Sequence, residues 1–462
     1  MSVFHSGIEP TRARKIYDRE GARLHFIGVG GVGMHPLARL ALRDGKRITG
    51  YDAKGSHLTE DLIKNGADVK IGERRRTMTD VDLVVYTLAA QERDAEIAMA
   101  ERLGIPMLSR AELLGALMTD YKTRLGVSGS HGKSTVTAML DAIATRAKSD
   151  PTTVVGANLF DTGLPLRLGG GELMIYEGCE YKDSFLRFAP TAAVYTSLEL
   201  DHTDYFKDMD ALVRSFEKSI RSCPRPVICI DDERLFGIAE GLKGSFVTYG
   251  KERGDITAKI ERREKGRYSI KIRHASTALP EILLKVAGKY NAENALSAAA
   301  LALSVGYREE DVCEALSDFF GVERRMQYIG RTGDFKLFYD YAHHPTEIKA
   351  AINGIRESEE RPVTVIFKPH TFSRTLSLLS DFAAALSLAD KVILLDIDPV
   401  REENTGRVSS YTLASRISCQ AVTVSDKDAL DIALSGNPSS VVLMGAGDVS
   451  EVISAMRERR EL

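Results

Sequence analysis

A chain of 462 residues is longer than one compact core usually fills, so two or three domains are expected. Hydrophobic residues at 44% and charged residues at 27% are the balance of folded, water-soluble protein and argue against a disordered chain. A formal net charge of −3 excludes capture of nucleic acid or anionic membrane by overall charge, so an anionic ligand has to be held by local cations and backbone N–H groups.

The five cysteines (Cys179, Cys223, Cys229, Cys313 and Cys419) are scattered without a Cys-x-x-Cys pair, which suggests reduced thiols rather than a disulfide framework or a zinc site. Met1 to Glu20 is polar and has no apolar signal core, and no apolar run is long enough to cross a bilayer. The expectation is a cytoplasmic protein acting on small molecules, without nucleic acid or membrane, as a monomer or homodimer.

In chain order, Leu24-His25-Phe26-Ile27 reads as a buried strand entering a glycine-rich turn that runs from Gly28 to Gly33. Pro36 then sits early in a helix carried by Leu37, Ala38, Leu40, Ala41 and Leu42, and Ile48-Thr49-Gly50-Tyr51-Asp52 is a second strand ending in an acid. Gly28, Gly30 and Gly33 satisfy the dinucleotide fingerprint, and Asp52 stands near the distance expected of an acid that contacts a ribose. Such a turn places N–H groups against a diphosphate, and NAD or a UDP-sugar offers it the same anion; the plainer alternative is glycines that only permit close helix–strand packing. Short strands at Ala67–Ile71, Leu83–Thr87 and Pro106–Leu108 alternate with helical stretches such as Glu92–Leu103, so residues 1–118 read as a βαβ domain.

The second unit, residues 119–326, opens on an apolar lead-in, Leu125-Gly126-Val127-Ser128, followed by Gly129-Ser130-His131-Gly132-Lys133-Ser134-Thr135 and a helix through Ala138, Met139, Leu140 and Ile143. Glycines allow the tight curl of a phosphate loop, the helix adds its positive end, Lys133 can reach outer phosphates and the Ser134 hydroxyl can ligate magnesium. Five residues separate Gly126 from Gly132, one more than the usual phosphate-loop pattern. Two further buried strands, Leu173–Glu177 and Ala192–Ser197, deliver Glu177 and His202 to their carboxyl ends, where an open parallel sheet places its chemistry. From Ile256 to Lys285 charged and apolar residues alternate, an antiparallel, half-exposed pattern with Arg262–Arg267 as a solvated tip. Asn291 and Asn294 open an alanine-rich helix, as caps or as amides for an adenine ring.

Residues 327–462 repeat the α/β pattern. Leu337–Asp340 enters the polar turn Tyr341-Ala342-His343-His344-Pro345, Val363–Phe367 ends in Lys368-Pro369-His370-Thr371-Phe372-Ser373-Arg374, and Val441–Met444 ends in Gly445-Ala446-Gly447-Asp448. Adjacent histidines suggest zinc, but no further ligand at suitable spacing supports it.

Taken in order, these stretches resemble one family, the Mur ligases. The residues that carry the resemblance are His25 to Met34, Gly129 to Thr135, Glu177 to Leu186, Asp201-His202-Thr203-Asp204-Tyr205, Asp340 to Glu347, Pro369 to Thr375 and Met444 to Asp448. The resemblance implies an α/β protein of three domains: a Rossmann-like N-terminal domain for a UDP-sugar, a central P-loop ATPase-type domain with a mostly parallel sheet, and a C-terminal Rossmann-like domain for an amino acid. It implies an ATP- and Mg2+-dependent enzyme of peptidoglycan synthesis that joins L-alanine to the carboxylate of UDP-N-acetylmuramate through an acyl phosphate. The family's alternatives are attachment of a recycled tripeptide, or of glycine or serine.

Carried over by position, the resemblance gives Gly129, Ser130, His131, Gly132, Lys133, Ser134 and Thr135 to the phosphates, Asn291 and Asn294 to adenine, and Arg325 (or Arg324) and Asp340 to phosphate and ribose. Ser134, Glu177 and His202 would hold the metal, and Gly28, Gly30, Gly31, Gly33 and Asp52 the UDP-sugar. His343, His344 and Arg374 would place the amino acid, with Lys133, His202, His344 and Arg374 the catalytic set. Two departures stand out: Cys179 stands where the family usually has a carboxylate, and Thr371 replaces an arginine of some members. An NAD-dependent oxidoreductase leaves the Lys133-Ser134 loop and the last domain without a role, and a non-catalytic nucleotide-binding paralogue leaves the retained Lys133, Glu177, His202 and His344 without one.

Overall fold

A computed structural model of the chain describes residues 10–74, 77–88, 94–202, 205–275, 277–358, 362–400, 402–436 and 438–460. It is α/β throughout and forms two compact units, Met1–Leu198 with Asp210–Val247, and Glu199–Met209 with Thr248–Leu462.

The first unit begins with β1 (Arg23–Ile27), β2 (Arg47–Asp52), β3 (Asp68–Ile71), β4 (Leu83–Tyr86) and β5 (Met107–Ser109). They form one parallel sheet in the order β3-β2-β1-β4-β5. The order reverses at β1, and the crevice outside that switch point is where the glycine-rich turn falls. Capping residues set the helix starts: Ser56 and Ser109 each accept the N–H three residues on, and the partner side chain bonds back. The expected helix over Glu92–Leu103 is observed as Ala95–Arg102, started by the Asp94 carboxylate on the Glu96 N–H, while residues 91–93 lie outside the described set.

The same unit contains β6 (Thr123–Ser128), β7 (Thr152–Val154), β8 (Leu166–Arg167), β9 (Leu173–Gly178), β10 (Ala192–Tyr195) and β11 (Pro226–Cys229), in the order β11-β10-β6-β9-β7-β8. All neighbours are parallel except the β7–β8 pair. With β9 and β10 on either side, β6 is central, and its last four residues are buried. The helix Lys133–Arg146 follows directly from the turn after β6.

In the second unit β12 (Val247–Gly250) pairs with β13 (Ile256–Arg262) in parallel, and β13 pairs antiparallel with β14 (Tyr268–His274). The antiparallel expectation for Ile256–Lys285 therefore holds, with β15 (Thr277–Ala278) and β16 (Ile282–Leu283) both on β14. The alanine-rich helix is Lys289–Ser304.

The last sheet comprises β17 (Gln327–Thr332), β18 (Phe335–Asp340), β19 (Val363–Phe367), β20 (Lys391–Leu394), β21 (Gln420–Thr423) and β22 (Ser440–Met444), in the order β17-β18-β22-β19-β20-β21. Only the β17–β18 hairpin is antiparallel. Every residue of β19 and β22 is buried, because helices cover both faces of a parallel sheet. The strand period of two divides the core: Val363, Val365 and Phe367 pack on one face with Val442 and Met444, and Ile366 on the other with Val441 and Leu443. Among the described residues no helix is long and apolar enough to cross a membrane.

Candidate active site

The turn after β1 closes on itself. Gly28 takes a left-handed φ of +77° and, with Val29, donates its N–H to the Tyr51 carbonyl oxygen. The Gly30 N–H donates to Asp52 Oδ2 at 2.8 Å. A Cβ on Gly30 would lie 2.6 Å from Thr59 Cγ2 and 3.0 Å from Asp52 Oδ2, and one on Gly33 would lie 2.8 Å from Arg110 Cδ. Close packing therefore requires Gly30, whereas at Gly33 it is the Arg110 side chain that would have to move. Gly31 is less confined, its Cβ position being 3.3 Å from the Gly28 carbonyl oxygen. Asp52, expected at a ribose, lies at this turn with one oxygen already accepting the Gly30 N–H.

The turn after β6 is more constrained. Gly129 and Gly132 have φ of +145° and +80°, and a Cβ on Gly129 would fall 2.0 Å from Thr196 Oγ1, so only glycine fits against the end of β10. The loop is tied there by the Ser130 N–H to Ser197 O (2.9 Å), the His131 N–H to Ser197 Oγ (3.3 Å) and Thr196 Oγ1 to His131 O (2.8 Å). Two of the N–H groups expected to face phosphate are thus spent on holding the loop. What remains for an anion is the start of the helix at Lys133, whose first turn has no side-chain cap, and the lysine itself.

Lys133 Nζ donates to Gly129 O (2.6 Å), Ser130 O (3.1 Å) and Glu180 Oε1 (3.1 Å), with Glu180 Oε2 at 3.0 Å. Burial alone would lower the pKa of this ammonium, but Glu180, with Cys179 and Glu177 nearby, outweighs it and the net shift is upward. Lys133 is a fixed positive charge. Burial pushes the Cys179 thiol up to about 11, so the residue in place of the family's carboxylate is a neutral thiol. Ser134 Oγ donates to Glu177 Oε2 at 2.8 Å, and the Gly156 N–H donates to the same oxygen at 2.8 Å. Thr135 is buried in the first turn of the helix.

The second unit gathers the other group. Arg374 donates through Nη2 to Asp201 Oδ1 at 2.7 Å, and its Nη1 lies 3.4 Å from His370 Nδ1. Burial would raise the Asp201 carboxyl, but His202, Arg374 and His343 override it and hold it below the usual carboxylate range. Thr371, at a left-handed φ of +66°, accepts the backbone N–H of Arg374 at 3.4 Å and caps the helix Phe372–Ser377, so the residue replacing an arginine starts the helix that carries the arginine that remains. The His343 ring lies 6.1 Å from that of His370, with its Nδ1 3.3 Å from Glu347 Oε2. His344 is 4% exposed, with Nδ1 4.0 Å from Glu199 Oε1. His202 has a left-handed φ of +53°, and its motif neighbours Thr203 and Asp204 lie outside the described residues.

Arg324 stacks between Tyr339 and Tyr341, 5.3 and 4.6 Å from the ring centroids. Arg325 lies over Tyr341, at 5.2 Å, with Glu347 4.0 Å away. Asp340 accepts the Met326 N–H (2.7 Å) and the Ala342 N–H (2.6 Å), and burial pushes its carboxyl up to about 6. Asn291 donates to Ala287 O at 2.7 Å, closing its own helix start, and Asn294 is half-buried on the same helix.

Glu177, Ser134 and Lys133 thus converge in the first unit, and His343, His370, Arg374 and Asp201 in the second, where His202, His344, Asn291, Asn294, Arg325 and Asp340 also lie. Sequence reasoning missed Glu180, Asp201 and His370 as contacts of the key cations. The available signals were an acid three residues after Glu177, an acid directly before His202, and a histidine one turn before Arg374.

Three family models match in chain order: Mur ligase family, catalytic domain, over residues 23–122; Mur ligase middle domain, over 127–302; and Mur ligase, glutamate ligase domain, over 324–447. The chain is 38% identical over 441 residues to a protein of Clostridium kluyveri named UDP-N-acetylmuramate--L-alanine ligase, covering 93% of this chain and 96% of that one. A Caldanaerobacter subterraneus protein of the same name is 39% identical with the same coverage. Among solved structures, the UDP-N-acetylmuramate-alanine ligase of Thermotoga maritima superposes with a TM-score of 0.81 at 27% identity, over 95% of this chain and 98% of that one. A murein peptide ligase from Psychrobacter arcticus shares the fold, with a TM-score of 0.72 at 21% identity, over 96% of this chain and 100% of that one. With relatives matched over nearly their whole length and all three domain models in register, the chain belongs to the Mur ligase family.

Proposed function

We propose that the chain is an ATP-dependent carboxylate–amine ligase that joins L-alanine to the carboxylate of UDP-N-acetylmuramate in peptidoglycan precursor synthesis. The observation that carries the chemistry is Lys133, a half-buried ammonium at the glycine loop after β6 whose charged form is favoured by the Glu180 carboxylate. The choice of sugar and amino acid follows the names of the near-full-length relatives.

A carboxylate oxygen of the sugar substrate attacks the γ-phosphorus of ATP, and the bond to the bridging oxygen breaks as ADP leaves with the electron pair. The amine of L-alanine then attacks the acyl carbon and loses a proton, phosphate departs, and the amide is formed. Three anionic groups must meet in the first step. Lys133 supplies fixed positive charge where negative charge is transferred, beside the uncapped helix start at Lys133, Ser134 and Thr135. Arg374 presents a planar pair of N–H groups to the amino-acid carboxylate, exchanging Asp201 for it, with His343 and His344 beside it. Asn291, Asn294, Arg325 and Asp340 are assigned to the nucleotide, and Gly28, Gly30, Gly31, Gly33 and Asp52 to the UDP-sugar.

The hydroxyl of Ser134 and the carboxylate of Glu177, 2.8 Å apart, are hard oxygen donors of the type magnesium takes, and His202 is the third residue assigned to the ion. When bound, Mg2+ would neutralise phosphate charge.

The test is phosphate release from ATP with Mg2+ and UDP-N-acetylmuramate, comparing L-alanine, glycine, L-serine and a stem tripeptide. Fastest release is expected with L-alanine. No release with any acceptor overturns the assignment, and a clear preference for the tripeptide replaces it with a recycling ligase.

A further inference from the structure

An ammonium has three N–H donors, and those of Lys133 are met by Gly129 O, Ser130 O and the Glu180 carboxylate. Glu180 lies two residues beyond β9, at the start of the turn Tyr181–Arg187 rather than in the glycine loop, and it is 2% exposed. Its Oε2 lies 3.0 Å from Nζ, and no aligned donor reaches that oxygen among the described residues. Charge on this carboxylate is balanced chiefly by one lysine.

The backbone that follows is built to hold Glu180 in place. Lys182 and Asp183 both have left-handed φ, +52° and +56°, which side chains other than glycine rarely adopt. The turn is fixed by the Asp183 N–H to Glu180 O (2.9 Å), the Phe185 N–H to Cys179 O (3.0 Å), Ser184 Oγ to Tyr181 O (2.7 Å) and a Ser215 hydroxyl donating to Asp183. Consecutive strained residues persist where the surroundings over-determine them, typically beside functional groups.

We propose that Glu180 is a positioning residue for Lys133: it keeps one N–H of the ammonium and thereby aims the others at the transferring phosphate. The inference rests on the assignment of this loop to ATP. When phosphates arrive, Lys133 has to give up some of its partners. Releasing Glu180 would leave a buried carboxylate without its cation, whereas turning N–H groups from the two loop carbonyls toward phosphate oxygens keeps every charge paired. The carboxylate thus stays as the anchor about which the lysine turns.

The test uses the full chain as wild type, Glu180→Gln, Glu180→Asp and Lys133→Ala, with ATP binding by calorimetry and phosphate release at saturating UDP-N-acetylmuramate and L-alanine. Glutamine keeps the shape and loses the charge; aspartate keeps the charge and is one methylene shorter. In Glu180→Gln, kcat is expected to fall roughly 10- to 100-fold, the cost of a misaimed catalytic group. The KM for ATP should change by less than about threefold, since the interaction lost is one made at the transition state. Glu180→Asp should recover part of the loss. Unchanged kcat with tighter ATP binding in Glu180→Gln overturns the inference, because Glu180 is then a placeholder that phosphates displace. Equal losses in both Glu180 variants with a lowered melting temperature also overturn it, leaving only support of the fold. If wild type binds no ATP, the assignment of the loop fails first and the inference with it.

Discussion

The two glycine-rich turns of the first unit each join a buried strand to a helix and treat negative charge differently. After β1 the Gly30 N–H is met directly by a carboxylate, that of Asp52, at 2.8 Å. After β6 the loop N–H groups of Ser130 and His131 go to Ser197, and the carboxylate of Glu180 meets the loop's lysine instead. The first turn therefore suits a ligand that presents hydroxyl donors to an acid beside its diphosphate, as a nucleoside sugar does. The second holds a cation against a protein carboxylate, which suits a phosphate that gains charge as it reacts. Glycine spacing alone does not separate these cases; the partner carboxylates do.

The largest break in that comparison is Lys133→Ala. It should lower kcat for phosphate release by roughly a thousandfold or more, as loss of a charged transition-state donor does, while calorimetry finds UDP-N-acetylmuramate binding nearly unchanged. Loss of both together would contradict the separate roles of the two turns. Arg374→Ala should come next, raising the KM for L-alanine by about 10- to 100-fold; Arg374→Lys, which keeps the charge but not the planar fork, should recover only part of this.

At the first turn, Gly30→Ala puts a Cβ 2.6 Å from Thr59 Cγ2 and beside the Asp52 carboxylate. Thermal melts should show about 1–3 kcal/mol of destabilisation, as for other overpacked sites, and calorimetry weaker UDP-sugar binding with ATP binding retained. Equal damage to ATP binding would mean that the two turns do not act separately.

The smallest effect is a pH dependence in the second unit. Burial lowers His343 to about 4 from the ordinary 6.5; Arg374 and His370 also lower it, while Glu347 and Asp201 pull the other way. The unfolded histidine takes up its proton near pH 6.5 and the folded one only near pH 4, so the fold loses stability as pH falls between those values. In His343→Gln the loss of unfolding free energy between pH 7 and pH 5, read from thermal melts, should be smaller by an amount on the order of 1 kcal/mol. An unchanged slope would show that other groups set it.

The sequence was most legible where one local rule acts alone. Val363–Phe367 is a strand with the expected bounds because four apolar residues and one threonine between polar turns fit a doubly covered sheet, where all five are buried. Alternation at Ile256–Lys285 likewise announced antiparallel pairing. At the candidate site, Lys133, Ser134 and Glu177 were singled out as candidates because their chemistry is local to strand ends. Glu180 and Asp201 were not, since what marks them is a long-range partner, 47 residues away for Glu180 and 173 for Asp201. The ties from Ser130 and His131 to Ser197 were missed for the same reason: a glycine pattern tells that N–H groups are turned, and not which acceptor they meet.

The central claim, that ATP is spent on the sugar carboxylate, is tested most directly with UDP-N-acetylmuramate carrying heavy oxygen in that carboxylate. Attack of the carboxylate on the γ-phosphorus and later expulsion by the amine move one labelled oxygen into phosphate. Mass spectrometry should therefore find one heavy oxygen per phosphate released, with the amide made in equal amount. Unlabelled phosphate accompanying amide formation would contradict an acyl phosphate and the account built on Lys133.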